Sequence, residues 1–225
     1  ELKQCLEDIV QKGEITSKEA ERVRRRMLFF ECFVCGRVAN LDLKLFGNLC
    51  RSGRTTNVLT TGEIDIVRRL SRRIETGTAI PLGIKNLDTW LIFTDGACEG
   101  PDDNKQGGVG GVLVDPLGRV VSFFGGVVPV DIMRRLLQKS KNPIYELEVL
   151  PVLISIWLWE GKINLSQVCW YLDNEASRSA FIKGQGATPL AACMVDAFTA
   201  EEMRLQLKSW FARVPSLSNL ADSPS

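Results

Sequence analysis

Leu91-Ile92-Phe93-Thr94-Asp95-Gly96-Ala97-Cys98 is an apolar, β-rich run that ends in a carboxylate, followed at once by glycine and alanine. The pattern predicts a buried strand over Thr89–Ala97. Asp95 then sits at or near its end, where the backbone passes close to a neighbour. Three more acidic residues stand in comparable places. Glu148 opens a strongly apolar helix read over Tyr145–Trp159, Asp173 closes the strand Gln167-Val168-Cys169-Trp170-Tyr171-Leu172, and Asp222 lies near the C-terminus. Four carboxylates on ordered elements, in a chain with no histidine, point to a divalent-metal site rather than to imidazole acid–base chemistry.

Around this stretch the pattern is mixed α/β. Gly107–Val114 and Arg119–Val128 read as two strands joined by the turn Asp115-Pro116-Leu117-Gly118. A helix follows over Asp131–Lys139, then the Tyr145–Trp159 helix, apolar nearly all round and so buried. After the strand ending at Leu172 come a short helix over Glu175–Lys183, stopped by Gly184, a longer one over Pro189–Gln206 and a last strand over Leu207–Val214. Leaving aside the Asp131–Lys139 segment, the order β-β-β-α-β-α-α-β predicts an α/β layer architecture with a mixed sheet. Trp90, Trp170 and Trp210, in strands, and Trp157 and Trp159, in the apolar helix, are read as core.

Residues 1–76 read as helical. Thr16-Ser17-Lys18-Glu19 has capping-box spacing, and Gly13 divides a short first helix from a longer second one carrying Ala20, Val23, Met27, Phe30 and Val34 at helical spacing. Asn48–Thr61 reads as a loop, and a third helix follows Thr60, again with a glutamate, Glu63, at capping-box spacing. Thr76–Gly83 is the linker. The division is therefore a helical segment over 1–85 and an α/β domain over 86–225.

The 225 residues are 45% hydrophobic and 24% charged, an ordinary globular balance. No apolar run approaches the roughly 18 residues that span a bilayer, so no membrane partner is expected. Glu1-Leu2-Lys3-Gln4 is neither a signal peptide nor an initiator sequence, and reads as a cut from a longer polypeptide. Seven cysteines, an odd number, in largely apolar contexts favour reduced thiols and a cytoplasmic or nuclear location. Cys32-x-x-Cys35 has zinc-like spacing but no second pair. Without histidine, Ser-His-Asp and Cys-His triads are excluded. Residues 1–85 carry 16 Lys/Arg against 11 Asp/Glu, and residues 86–225 carry 12 against 16. A basic half joined to an acidic half suits a nucleic-acid-gripping module beside a metal-binding one.

Each carboxylate has an ordinary local reading. Asp95 could cap a turn, Asp173 could be the N-cap of the helix after it, Glu148 could be a first-turn glutamate favoured by the helix dipole, and Asp222 could be a loop residue. A magnesium pair offers a common reason for all four, because hard oxygen ligands converging from fixed elements can hold two ions about 4 Å apart across a phosphodiester.

The order of these motifs resembles ribonuclease H. Thr94-Asp95-Gly96-Ala97, followed by a hairpin, is similar to its first acidic motif. Tyr145-Glu146-Leu147-Glu148-Val149-Leu150-Pro151-Val152 is similar to the second, and Tyr171-Leu172-Asp173-Asn174-Glu175-Ala176 to the third. Arg213-Val214-Pro215-Ser216 through Asn219-Leu220-Ala221-Asp222-Ser223-Pro224-Ser225 resembles the fourth, in the form found in reverse transcriptases of DIRS-like retrotransposons. Gly13-Glu14-Ile15-Thr16 and Phe33-Val34-Cys35-Gly36-Arg37 resemble the thumb or connection that precedes that domain.

The resemblance implies a ribonuclease-H-like mixed five-stranded sheet with flanking helices. It implies two Mg2+ ions, or Mn2+ in their place, held by Asp95, Glu148, Asp173 and Asp222, and hydrolysis of the RNA strand of an RNA–DNA hybrid. The remaining partner would be a polymerase region of the same polypeptide. Glu146 competes with Glu148. Residues i and i+2 on a helix point roughly 200° apart, so one of them at most joins the site, and the spelling Glu-x-Leu-Pro-Val favours Glu148. Many ribonucleases H carry a histidine near the fourth aspartate, and this chain has none. A non-catalytic nucleic-acid or protein binding module, or another nuclease or transposase of the same fold, are the rival readings.

Overall fold

The computed structural model describes residues 1–30, 40–76, 87–101, 105–138 and 142–225. The Cys32-x-x-Cys35 pair, the Phe33–Arg37 motif and most of the linker lie outside these residues. The chain forms two compact units, Glu1–Ile80 and Pro81–Ser225.

The first unit comprises α1 (Leu2–Lys12), β1 (Glu14–Thr16), α2 (Ser17–Phe30), α3 (Asn40–Arg51), β2 (Thr56–Val58) and α4 (Thr61–Thr76). Gly13, at φ 67°, ends α1 in the left-handed conformation and returns its amide to the Ile9 carbonyl at 3.0 Å. Both capping boxes form. The Glu19 amide donates to Thr16 Oγ1 at 3.2 Å while Glu19 Oε2 accepts from the Thr16 amide at 2.9 Å, and Thr60 and Glu63 repeat the exchange at 3.3 and 2.8 Å. The stretch Asn48–Thr61 is not all loop. α3 continues through Arg51, and Thr56–Val58 pairs antiparallel with Glu14–Thr16. The apolar sides of the helices meet in a core that includes Leu6, Ile15, Val23, Met27, Phe46 and Leu70.

The second unit is a mixed five-stranded sheet with flanking helices, the ribonuclease-H-like arrangement. Its strands are β3 (Thr89–Glu99), β4 (Gln106–Val114), β5 (Val120–Val127), β6 (Gln167–Leu172) and β7 (Lys208–Arg213). Their order is β5-β4-β3-β6-β7. The β3–β4–β5 meander is antiparallel, whereas β6 and β7 join parallel to β3. The helices are α5 (Val130–Leu137), α6 (Ile144–Leu158), α7 (Glu160–Ile163), α8 (Glu175–Lys183) and α9 (Pro189–Arg204). The parallel joins need helical crossovers, which α6, α8 and α9 supply.

α6 carries apolar residues on every side, and its Val149, Val152 and Ile156 are buried with Ile92, Leu113, Val168 and Trp170. Phe181, Phe198 and Phe211 stack edge and face around Trp170, whose indole N–H donates to Ser209 Oγ at 3.0 Å. Trp159 is core as read, its N–H on Ser122 Oγ at 3.1 Å. Trp210 is not, being 68% exposed. It sits on the edge strand β7, and strand alternation sends its neighbour Phe211 inward and Trp210 to the other face. Trp157, in the last turn of α6, is also exposed. The described cysteines are all free thiols. No helix among the described residues is long and apolar enough to cross a membrane.

The aromatic cluster sets a contrast between Phe198, fully buried, and Phe123, which is 70% exposed on the edge strand β5. Phe198→Ala should destabilise the protein by about 3–5 kcal/mol, and Phe123→Ala by under about 0.5 kcal/mol. Chemical denaturation followed by tryptophan fluorescence reads the difference.

Candidate metal centre

Asp95 does not end its strand. β3 runs on to Glu99 and pairs Asp95 with Gly110 of β4, so Asp95 stands inside the strand and is no turn cap. Asp173 follows β6 directly, and the N-cap role falls to its neighbour. Asn174 Oδ1 accepts from the amides of Ala176 and Ser177, both at 3.0 Å, leaving the Asp173 carboxylate free for other work. Glu148 is the fifth residue of α6, beyond the first turn.

The three carboxylates converge. Asp95, Glu148 and Asp173 each offer an oxygen within 4.8 Å of the other two. The two glutamates of α6 part as their spacing requires. Glu146 is buried on another side of the helix, where it accepts the Thr188 hydroxyl at 2.6 Å, and Thr188 in turn caps α9 through the Ala191 amide. Asp222 is exposed and falls outside the group of three, although its charge reaches Asp95.

Close packing of β3 on α6 makes this convergence possible. A Cβ on Gly96 would collide with the Leu147 carbonyl and stand 2.7 Å from the Glu148 amide nitrogen. Pro151, inside α6, has no N–H to donate back to the Leu147 carbonyl, so the helix gives up a bond at the turn where the strand approaches. The Gly96 backbone amide favours the ionised form of both the Asp95 and the Glu148 carboxylates.

The C-terminal segment, read from the sequence as the source of Asp222, meets the site instead through Ser216, Asn219 and Ser225. The C-terminal segment contains a 3-10 turn, Ser216–Ser218, and lies across a floor of glycines. A Cβ on Gly110 would stand 2.7 Å from the Ser225 nitrogen, and one on Gly125 would strike Pro224. The segment grips two carboxylates. Ser216 Oγ donates to Asp173 Oδ2 at 2.8 Å, and Ser225 Oγ to Asp95 Oδ2 at 2.6 Å. Asn219, buried, donates from Nδ2 to the Thr94 carbonyl at 3.1 Å and to Asp95 Oδ1 at 3.4 Å, while its Oδ1 accepts the Ala221 amide. The sequence signal was the run Gly107-Gly108-Val109-Gly110-Gly111. Four glycines in a strand mark a surface that another backbone approaches.

Electrostatically the group is unbalanced. Burial, then the negative charges of Asp173 and Asp95, pushes Glu148 up to about 9, against the opposing Gly96 amide. Burial also raises Asp95, with Asp173 and Asp222 adding to the rise and the Ser225 hydroxyl working against it. Asp173 Oδ1 is buried and accepts no hydrogen bond from the described residues. Three converging carboxylates and an orphaned acceptor fit a hard divalent cation with oxygen coordination.

No protein-family model matches the chain, and no curated protein matches it in sequence. Solved structures do match. RNase H1 of the halophilic archaeon Halobacterium salinarum is 16% identical over 60% of this chain and 93% of its own, with a TM-score of 0.42. LC11-RNase H1, solved in complex with an RNA/DNA hybrid, is 16% identical over 60% and 92%, TM-score 0.43. The foamy viral protease-reverse transcriptase, solved with dsDNA, is 11% identical over 64% and 96%, TM-score 0.45. The fold itself is carried by the strand order and directions described above.

Two outcomes follow from this geometry. Gly96→Ala should force β3 and α6 apart, lowering stability by about 1–3 kcal/mol and weakening divalent-cation binding beyond what the stability loss explains; calorimetry and metal titration read the two effects. The second concerns pH. Glu148 holds its proton more tightly in the folded protein than in the unfolded chain, where its value is 4.5. Metal-free protein is therefore stabilised by this group below about 4.5, and that stabilisation is lost as pH rises to about 9. Melting temperatures in EDTA should fall across this window. Glu148→Gln should flatten the decline, and magnesium should offset it at the alkaline end.

Proposed function

We propose that this chain is a metal-dependent nuclease that hydrolyses the RNA strand of RNA–DNA hybrids, and that it forms the C-terminal part of a retroelement reverse transcriptase of the DIRS-like kind. The observation that carries the reading is the convergence of Asp95, Glu148 and Asp173, from three separate elements, within 4.8 Å. Four acidic motifs in ribonuclease H order support it.

Asp95, Glu148 and Asp173 would hold the ions, two Mg2+ or Mn2+, with Asp222 as the outer, exposed ligand. Bound there, the ions supply Lewis acidity and an acidified water suited to phosphodiester hydrolysis. The remaining work belongs to the protein. β3 and β6 fix two carboxylates on the sheet, and α6 sets the third against them through Gly96. Ser216 and Asn219 orient Asp173 and Asp95 so that each keeps an oxygen directed at the shared space. The hybrid is recognised by shape and by its 2′-hydroxyls, not by base sequence. The helical segment over 1–85 serves as the thumb or connection to a polymerase region of the same polypeptide, in the cytoplasm or nucleus.

The test is cleavage of a labelled RNA–DNA hybrid in magnesium by the native protein and by Asp95→Asn. The expected result is RNA-strand cutting by the native protein, reduced about 100-fold or more in the variant, with hybrid binding retained. Binding without cutting by either protein would instead make this a non-catalytic module, and cutting of duplex DNA in preference to hybrid would assign it to another nuclease of this fold.

A further inference from the structure

The first unit holds a basic site that the nuclease reading does not use. Several of its arginines face carboxylates: Arg25 pairs with Glu21, Arg26 with Glu1, Arg68 with Asp65 and Arg69 with Asp42. Arg24 and Arg51 differ. Among the described residues neither meets a carboxylate, and Arg51 bonds the side-chain carbonyl of Asn48 at 3.2 Å.

These two side chains converge from different helices on Gly47. From the point where a Gly47 side chain would begin, Arg24 Nε of α2 lies 3.5 Å away and Arg51 Nη2 of α3 lies 3.8 Å away. The two nitrogens are therefore at most about 7 Å apart. A phosphate group that accepts a charge-assisted hydrogen bond of about 2.8 Å on each side spans such a gap. Lys44 is exposed and stands seven residues before Arg51, on the same side of α3. Together they make a line of positive charge about 10 Å long. That is too long for one phosphate and suited to a polyanion.

The helix dipole explains Arg51, in the last turn of α3. It does not explain Arg24, eighth of the fourteen residues of α2. Nor does packing explain Gly47. Its backbone is not left-handed and an alanine Cβ would make ordinary contacts there, yet glycine is the costlier residue inside a helix. Its effect is to leave the floor between two guanidinium groups open.

We propose that Arg24 and Arg51, over Gly47 and beside Lys44, bind the phosphodiester backbone of a nucleic acid. The site does not rest on the nuclease reading, because binding is measured without metal and without cleavage. The experiment is fluorescence anisotropy of labelled RNA–DNA hybrid and of labelled duplex DNA with the full chain in EDTA, between about 50 and 200 mM salt. Three variants are compared with the native protein: Arg24→Gln/Arg51→Gln; Arg25→Gln/Arg68→Gln, which removes the same charge from paired positions; and Gly47→Asp, which sets a carboxylate between the two guanidinium groups.

The first pair should weaken binding about tenfold or more and lower the salt slope by about two, while the control pair weakens it less than about threefold. Gly47→Asp should reproduce the loss with no drop in melting temperature. Equal losses in both arginine pairs, or none in either, overturn the proposal. It is also overturned if 31P line broadening of inorganic phosphate depends on Arg24 and Arg51 while nucleic-acid affinity does not, since the site would then serve a free anion. Failure of hybrid cleavage with the binding pattern intact would remove the nuclease reading and leave this one standing.

Discussion

Burying like charges together is the constraint on which the second unit depends. Asp95, Glu148 and Asp173 share one pocket, and two of them are nearly inaccessible to water. Desolvation disfavours each ionised form, and each neighbouring carboxylate disfavours it further. A fold gains no stability from such an arrangement on its own. The cost is met partly by the proton that Glu148 holds up to about 9, and partly by fixed donors: the Gly96 amide, the Ser216 and Ser225 hydroxyls and the Asn219 amide. These neutral donors soften the repulsion without cancelling it. A cation cancels it, and so the pocket reads as metal chemistry and not as a structural ion-pair network.

The same constraint explains features of the scaffold that are otherwise wasteful. Glycine at position 96 weakens a strand, and proline at 151 removes a hydrogen bond from a helix. Both occur where β3 and α6 approach, and both serve to bring a helix backbone against a strand backbone so that a short aspartate and a longer glutamate reach one place. The glycine run of β4 acts likewise on the other face. By lacking side chains, Gly108 and Gly110 let the C-terminal segment lie on the sheet, close enough for Asn219 to bond both the Thr94 carbonyl and Asp95. Sheet, helix and terminal segment are each locally compromised in favour of one pocket.

Much of this was legible in the sequence, for physical reasons. Period-2 and period-3.6 patterns fix which residues face inward, and they are strong in the second unit. The short helix Glu175–Lys183 with its Gly184 stop and the hairpin at Asp115–Gly118 formed as read. What stayed hidden depends on contacts between segments distant in sequence. Nothing local says that Thr188 will take Glu146 away from the site, or that Asn174 will do the capping that Asp173 could have done. Trp210 was misjudged because strand order, not strand propensity, decides which strand is an edge. The pairing of Thr56–Val58 with Glu14–Thr16 was missed because three-residue strands carry too little pattern to register.

Asn219 shows how the hidden part becomes readable. Taken alone it is one polar residue in a polar tail, and its side chain gives no sign of burial. Taken with the glycine run, it acquires a role: a bare sheet surface calls for a backbone to cover it, and a covering backbone brings its own unsatisfied amides and carbonyls into a dry place. Asn219 answers both needs. Its Oδ1 takes the Ala221 amide, and its Nδ2 takes the Thr94 carbonyl at the strand residue next to Asp95. The residue that solves the covering segment's hydrogen-bonding problem thereby sits beside the first carboxylate. In this chain the requirement that buried polar groups be satisfied and the requirement that acidic ligands be oriented are met by the same side chain.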